Sequence, residues 1–189
     1  MTAVHADQAT RPRPPAPTAP PGIRAERPDV SDGPDLWRIA REAQTLDVNS
    51  PYSYLLWCRD FAATSAVARD RTGRPVGFVT GYLRPDAPGT LLIWQVAVDA
   101  TARGQGIAGY LLDHLTERVA AEHALDVLET TISPGNTASE RLFASYAERH
   151  GARVARKVLF AEEHFPGGAG QHDAEVLHRI GTPGEPLTT

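Results

Sequence analysis

The chain has 189 residues, of which 41% are hydrophobic and 22% charged, with a formal net charge of −4. That size suits one domain with a sizeable core, and a near-balanced charge without a basic run argues against nucleic-acid binding. No apolar run reaches the ~20 residues of a membrane helix, the Arg- and Pro-containing start lacks the apolar stretch of a secretory signal, and a single cysteine, Cys58, leaves no internal disulfide and fits a reducing, cytoplasmic setting.

Residues 1–22 are rich in Pro, Ala, Arg and Thr without periodicity, and are expected to be disordered or loosely extended. The folded part is expected over 23–180, with 181–189, which contains Pro183 and Pro186, as a second loose tail. A short strand is predicted near Ile23–Arg27. Ser31 or Asp32 is then expected to cap a helix with Pro34 in its first turn and a stripe of Leu36, Ile39, Ala40 and Ala43. The segment 46–52 breaks that helix, and Pro51 opens the next, over Tyr52–Phe61. In Leu55-Leu56-Trp57-Cys58 the cysteine reads as a packed thiol rather than a nucleophile. Strands follow at Ser65–Arg69 and Val76–Leu83, joined by a turn at 70–74. The run Leu91–Val98 is almost continuously apolar, which predicts a strand buried on both faces. A helix to about His123, a strand over Leu125–Ile132 and a helix from Asn136 to Gly151 come next. A helix between two strands implies a parallel pair. Arg153–Phe160 and Ala174–Ile180 read as closing strands, separated by a glycine-containing loop.

The most informative stretch is Arg103-Gly104-Gln105-Gly106-Ile107-Ala108, between the central strand and an amphipathic helix. A glycine-rich turn at a helix start exposes unpaired backbone N–H groups in the positive field of the helix dipole, which suits a phosphate. Gly104 and Gly106 let a ligand approach the main chain, and Arg103 adds a charged donor fork. The nucleotide P-loop spacing with Lys-Ser/Thr is absent. An ordinary strand-to-helix loop is the plainer reading of two glycines, but the full Arg-x-x-Gly-x-Ala pattern after a strand is more specific. It resembles the acyl-CoA pyrophosphate loop of GNAT-fold N-acetyltransferases, and implies an α/β fold with a mixed, mostly antiparallel sheet and a central parallel strand pair flanked by helices.

Further stretches narrow the resemblance. Asp47-x-Asn49-Ser50-Pro51-Tyr52, Trp94-Gln95-Val96-Ala97-Val98, Glu129-Thr130-Thr131, Asn136-x-x-Ser139-x-x-Leu142-Phe143 and His172-Asp173-x-Glu175 together resemble the diaminobutyrate acetyltransferases of ectoine synthesis, over about 24–180. The resemblance implies acetyl transfer from acetyl-CoA to the γ-amine of L-2,4-diaminobutyrate, a precursor of a compatible solute made under osmotic stress, by a homodimeric enzyme. It places the acyl-CoA along Val96, Ala97, Val98, Arg103–Ala108 and Asn136. It places the amine among Asp47, Asn49, Ser50, Tyr52, Trp94, Gln95, Glu129, His172, Asp173 and Glu175.

The residues can be weighed against that. Diaminobutyrate carries two ammonium groups and one carboxylate, so its site needs acceptors for both cations and donors for the anion. Asp47, with Asn49 and Ser50, supplies acceptors, although Asp, Asn and Ser before Pro are also common turn chemistry. Trp94 serves equally as a pocket wall or a core residue. Gln95, next in the strand, points to the opposite face and needs a partner if buried. Glu129 inside an apolar strand requires pairing or a function. His172 reads as a pocket or a loop residue. The attacking amine must lose a proton from an ammonium of pKa near ~10, and Glu129, Asp47, Glu175 and His172 are the candidate bases. Many GNAT enzymes carry an acidic Tyr seven residues after the Asn that opens the last long helix. Here that position is Phe143, so Tyr146, about one turn on, is the candidate acid or a packed aromatic. No Cys/His spacing suggests a metal. Two other functions fit the same loop: a GNAT-fold enzyme for another amine, and a non-catalytic acyl-CoA-binding module.

Overall fold

Among the described residues, seven strands form one mixed sheet. The computed structural model describes residues 18–43, 46, 48–166, 170 and 172–181. In chain order the elements are β1 (Arg24–Glu26), α1 (Gly33–Ala43), α2 (Pro51–Asp60), β2 (Ala66–Arg69), β3 (Pro75–Arg84), β4 (Ala87–Val98), α3 (Ile107–Glu122), β5 (Val127–Ile132), α4 (Thr137–Arg149), β6 (Arg153–Phe160) and β7 (Glu175–Gly181). The strand order is β1-β2-β3-β4-β5-β7-β6. Only β4 and β5 run parallel among these neighbours, because α3 carries the chain back between them. The rest of the sheet is antiparallel.

Two apolar clusters cover the two faces. On one, the α1 stripe of Leu36, Ile39, Ala40 and Ala43 joins Tyr54 and Cys58 of α2 over Val67 and Phe78. Burial raises the Cys58 thiol to about 12, helped by the charge of Asp32, so it remains a packed thiol. On the other face, Leu111, Leu112, Leu115 and Val119 of α3 and Phe143 and Ala147 of α4 close over Val79, Leu91 and Leu128.

Several details differ from the sequence reading. The cap lies earlier than expected: Asp29 caps a 3-10 turn at Val30–Asp32, accepting from Ser31 N–H, while Asp32 accepts from Asp29 N–H at 2.7 Å. Asp32 is buried and ion-paired to Arg69 at 2.8 Å, so its carboxylate holds β2 rather than capping α1. The segment 18–22, expected to be loose, ends in a turn closed by Ile23 N–H to Pro20 O at 3.0 Å. Gly181 belongs to β7. Of the tails expected over 1–22 and 181–189, residues 1–17 and 182–189 lie outside the described residues.

Asp99 fixes the end of β4. Its carboxylate is buried and accepts from Thr101 N–H and Oγ1 at 3.0 and 2.7 Å and from Arg38 of α1 at 2.8 Å. Burial opposes its ionisation, but the bonds from Thr101 and Arg38 outweigh it and hold the carboxyl at about 2. A folded-state value below the unfolded one stabilises the protein fully above pH ~4, and the contribution, about 2 kcal/mol, disappears as pH falls through about 2. Asp99→Asn should lower the unfolding free energy at pH 7 by about that amount and flatten its decline in acid. An unchanged acid slope in denaturant titrations would show that Asp99 carries no such coupling.

Candidate active site

The site originates in a one-residue irregularity. Thr80 pairs with Gln95 and Gly81 with Ile93, so Trp94 has no partner in β3 and bulges. Before the bulge, Leu91 and Ile93 face the α3–α4 side; after it, Val96 and Val98 do, while Ala97 faces α1 and α2. Trp94 and Gln95 therefore share the α2 face, which corrects the strict alternation expected of them. Trp94 stacks on Trp57 of α2 with centroids 6.1 Å apart, and Tyr54 of α2 donates its hydroxyl to Gln95 Oε1 at 3.1 Å. Trp94 is 50% exposed, so β4 is not buried on both faces and this tryptophan is not a core residue.

Past the bulge the sheet divides. Pairing of β4 with β5 spans only Thr90–Ile93, whereas β5 stays paired to β7 up to Ile132 and β4 stays paired to β3 up to Val98. The β5-facing edge of Val96–Val98 thus borders an open cleft of about 1120 Å³. Gly104 and Gly106, both with φ +77°, turn the chain from β4 into α3. Gly106 is the N-cap of α3 and provides no side-chain cap, so donors of the first turn remain available to a phosphate. Arg103 is exposed beside them and bonds the Val98 carbonyl at 3.3 Å. All ten residues expected along the acyl-CoA line this one cleft: Val96, Ala97, Val98, Arg103, Gly104, Gln105, Gly106, Ile107, Ala108 and Asn136. Asn136 also caps α4, accepting from Ser139 N–H at 3.1 Å.

The sequence reading missed the α4 wall. Ala138, Arg141, Leu142, Ser145 and Arg149 also line the cleft, and their three- and four-residue spacing is a single helical face. Arg149 is held by Asp113 of α3 at 3.0 Å. Burial disfavours the Asp113 charge, but bonds from His150 and Arg149 outweigh it and lower its pKa.

None of the described residues expected around the amine lines the cleft; apart from Trp94, Gln95 and Glu129, they fall in two groups. Asn49, Ser50 and Tyr52 precede or open α2; Tyr52 is largely exposed, and Ser50 Oγ lies 3.2 Å from Ser53 Oγ. Burial raises the Tyr54 phenol against hydrogen bonds to Asn49 and Gln95, so this buried tyrosine links the group to β4. The second group lies before and at the start of β7. Glu175 accepts from Ser133, at the end of β5, at 2.8 Å, and His172 stacks on Phe165 with centroids 3.8 Å apart while Asp173 is exposed. Asp47 lies outside the described residues.

Two expected catalytic groups are placed elsewhere. Glu129 is 1% exposed, and its carboxylate is taken by Arg84 at 3.1 Å and Arg179 at 2.7 Å. It does not line the cleft and is the centre of an ion-pair cluster joining β3, β5 and β7. Tyr146 is 7% exposed, packs in the α3–α4 core and stacks on His150 with centroids 4.2 Å apart. Burial raises its phenol to about 12, reinforced by the charge of Asp113, and it does not line the cleft, so it is a packed aromatic rather than an acid for the leaving thiolate. Among the described residues no group of three or more His, Cys, Asp or Glu is placed to hold a metal.

Residues 33–147, which include β4, the glycine loop and most of α4, match the acetyltransferase (GNAT) family. The chain belongs to that family. Its relatives are more specific. An L-2,4-diaminobutyric acid acetyltransferase of Streptomyces avermitilis is 60% identical over 181 residues, covering 96% of this chain and 98% of that one. One from Streptomyces coelicolor is 64% identical over 84% of this chain and 92% of its own. Among solved structures, a diaminobutyrate acetyltransferase from Paenibacillus lautus, in complex with L-2,4-diaminobutyric acid and coenzyme A, is 39% identical, with a TM-score of 0.76 over 84% of this chain and 94% of that one. An Ard1 protein from Thermoplasma volcanium, 18% identical with a TM-score of 0.65, shares the fold.

A Cβ at position 106 meets no protein atom within 4 Å, so Gly106→Val should fold, with a left-handed backbone penalty of about 1–2 kcal/mol. Its side chain would project where a phosphate approaches, and the Michaelis constant for acetyl-CoA should rise roughly tenfold or more. Unchanged acetyl-CoA affinity in the folded variant would remove the phosphate site from this loop. Tyr146→Phe should lower stability by about 1 kcal/mol through the lost bond to Thr116 while leaving kcat nearly unchanged. A loss of roughly a hundredfold in kcat would restore Tyr146 as the acid.

Proposed function

We propose that this protein transfers the acetyl group of acetyl-CoA to the γ-amine of L-2,4-diaminobutyrate, giving γ-N-acetyl-diaminobutyrate on the route to ectoine in the cytoplasm. The observation that carries the reading is the open edge of β4 leading into the Gly104–Gly106 loop, in a chain 60% identical to a diaminobutyric acid acetyltransferase over almost its full length. The pantetheine arm pairs with the backbone of Val96–Val98, whose N–H groups polarise the thioester carbonyl. The neutral γ-amine attacks that carbon, the C–S bond of the tetrahedral intermediate breaks, the amine's proton passes to a base, and CoA leaves as a thiolate. Glu175 is our assignment for that base, directly or through water: it is partly exposed and held by Ser133 where β5 meets the cleft end of the sheet. Asp47, Asn49 and His172 are assigned to the ammonium groups, with Trp94 as an apolar wall.

A homodimer is part of this reading. The outer strand β6 carries Val154, Val158 and Phe160 exposed, and such an apolar edge favours a partner surface. No helix among the described residues is long and apolar enough to cross a membrane.

With the α-amino acid head anchored, each added methylene displaces the reacting amine. Diaminobutyrate should therefore be acetylated much faster than ornithine or lysine, by roughly 10–200-fold per methylene. Thiol release measured with the three amino acids and spermidine decides this. Equal rates, or transfer to spermidine alone, would overturn the acceptor assignment and leave the acyl-CoA site standing.

A further inference from the structure

Residues 18–23 belong to no helix or strand, yet Thr18, Ala19, Pro20 and Pro21 line the same cleft as the Gly104–Gly106 loop. A specific turn holds them there. The Pro20 carbonyl accepts from Ile23 N–H at 3.0 Å, Pro21 occupies the second position, and Gly22 the third with φ +76°. That is the pattern of a type II turn, in which proline presets the second residue and glycine takes the third without strain. Ile23 then packs against the α3–α4 core. Arg71 presses on the other side of the turn, where a Cβ at position 22 would meet its Nε at 2.5 Å. The path of Thr18–Pro20 is therefore set by folded residues on both sides.

The sheet order shows which part of the cofactor this segment meets. β1 is an outermost strand, three strands from β4, or about 14 Å at the usual spacing. The acyl end of the cleft lies on the opposite side of β4, where β4 parts from β5. The register aligns Arg24 with Arg69, Arg69 with Pro75, and Gly77 with Val98, so the strap before β1 lies at the same end of the sheet as the glycine loop that follows β4. We propose that Thr18–Pro21 is a cofactor-binding strap whose proline rings and Ala19 methyl pack against the nucleotide half of acetyl-CoA. Two prolines present apolar surface without N–H donors that would need partners. The turn meets the ordering cost before the ligand arrives, which favours affinity. The inference rests on acetyl-CoA as donor and not on the identity of the amine.

The test compares the full chain with deletions of residues 2–17 and 2–21 and with Gly22→Val. Binding of CoA is followed by calorimetry, and turnover is followed with acetyl-CoA and with acetyl-pantetheine, which lacks the nucleotide. Deletion of 2–21 should weaken CoA binding and raise the acetyl-CoA Michaelis constant about fivefold or more relative to deletion of 2–17. Values of kcat, the diaminobutyrate Michaelis constant and acetyl-pantetheine kinetics should match between the two. Gly22→Val should reproduce the effect in the full-length chain, and decides the matter if the longer deletion fails to fold. Equal CoA affinity in both deletions, or an equal loss with acetyl-pantetheine, would overturn the strap. Because calorimetry needs no amine, a wrong acceptor would leave this result unaffected.

Discussion

The parting of β4 from β5 beyond Ile93 is the constraint on which the site depends. A central strand normally spends its hydrogen bonds on both neighbours. Here β4 keeps β3 as a partner through Val98 but gives up β5 after four residues. Its second edge then carries backbone groups that nothing in the described sheet occupies, and a ligand with amide groups of its own can take them. The Trp94 bulge accompanies the change. It moves Trp94 and Gln95 onto the α2 face together and leaves Val96 and Val98 directed toward the α3–α4 core. The exposed Trp94 thus sits where the two strands part.

The charges around this opening are held by pairs reaching across elements. Asp99 ties the end of β4 to Arg38 of α1, Asp32 ties the start of α1 to Arg69 of β2, and Glu129 gathers Arg84 and Arg179 beneath the parted strands. Each carboxylate is buried, and each is costly to bury alone. The Glu129 pairs tie β5 and β7 to β3 across the sheet, while the Asp99 and Asp32 pairs fix the α1 region against its β1–β4 half. The same logic separates Glu129 from Glu175. Two carboxylates project from neighbouring strands on one face, but only the one near the cleft end, bonded to a serine, has access to solvent.

Much of this was legible in local sequence. The glycine loop between a strand and an amphipathic helix was readable because both features are contiguous: Gly106 caps α3, and Ile107, Leu111 and Leu115 form its buried stripe. The α1 stripe and the parallel β4–β5 pair were readable for the same reason. What escaped depends on partners distant in sequence. The bulge at Trp94 is marked only by Gly81 in the facing strand, where a Cβ would meet the Leu92 carbonyl at 2.6 Å. The guanidinium partners of Glu129 come 45 residues before it and from β7. Tyr146 looked like a displaced acid because a helix turn brings it near the expected position. Its depth is set by packing against α3, which no spacing rule conveys. Arg141 and Arg149 do follow a helical period with Leu142 and Ser145, but that stripe is polar and so resembles an ordinary exposed face.

Amide hydrogen exchange with and without CoA tests the central claim most directly. If the open edge of β4 and the glycine loop hold the cofactor, CoA should slow exchange in the peptides spanning Val96–Val98 and Gly104–Ala108, with little change in the β6 edge strand. Protection absent from both segments, at a CoA concentration that saturates the protein, would contradict the account.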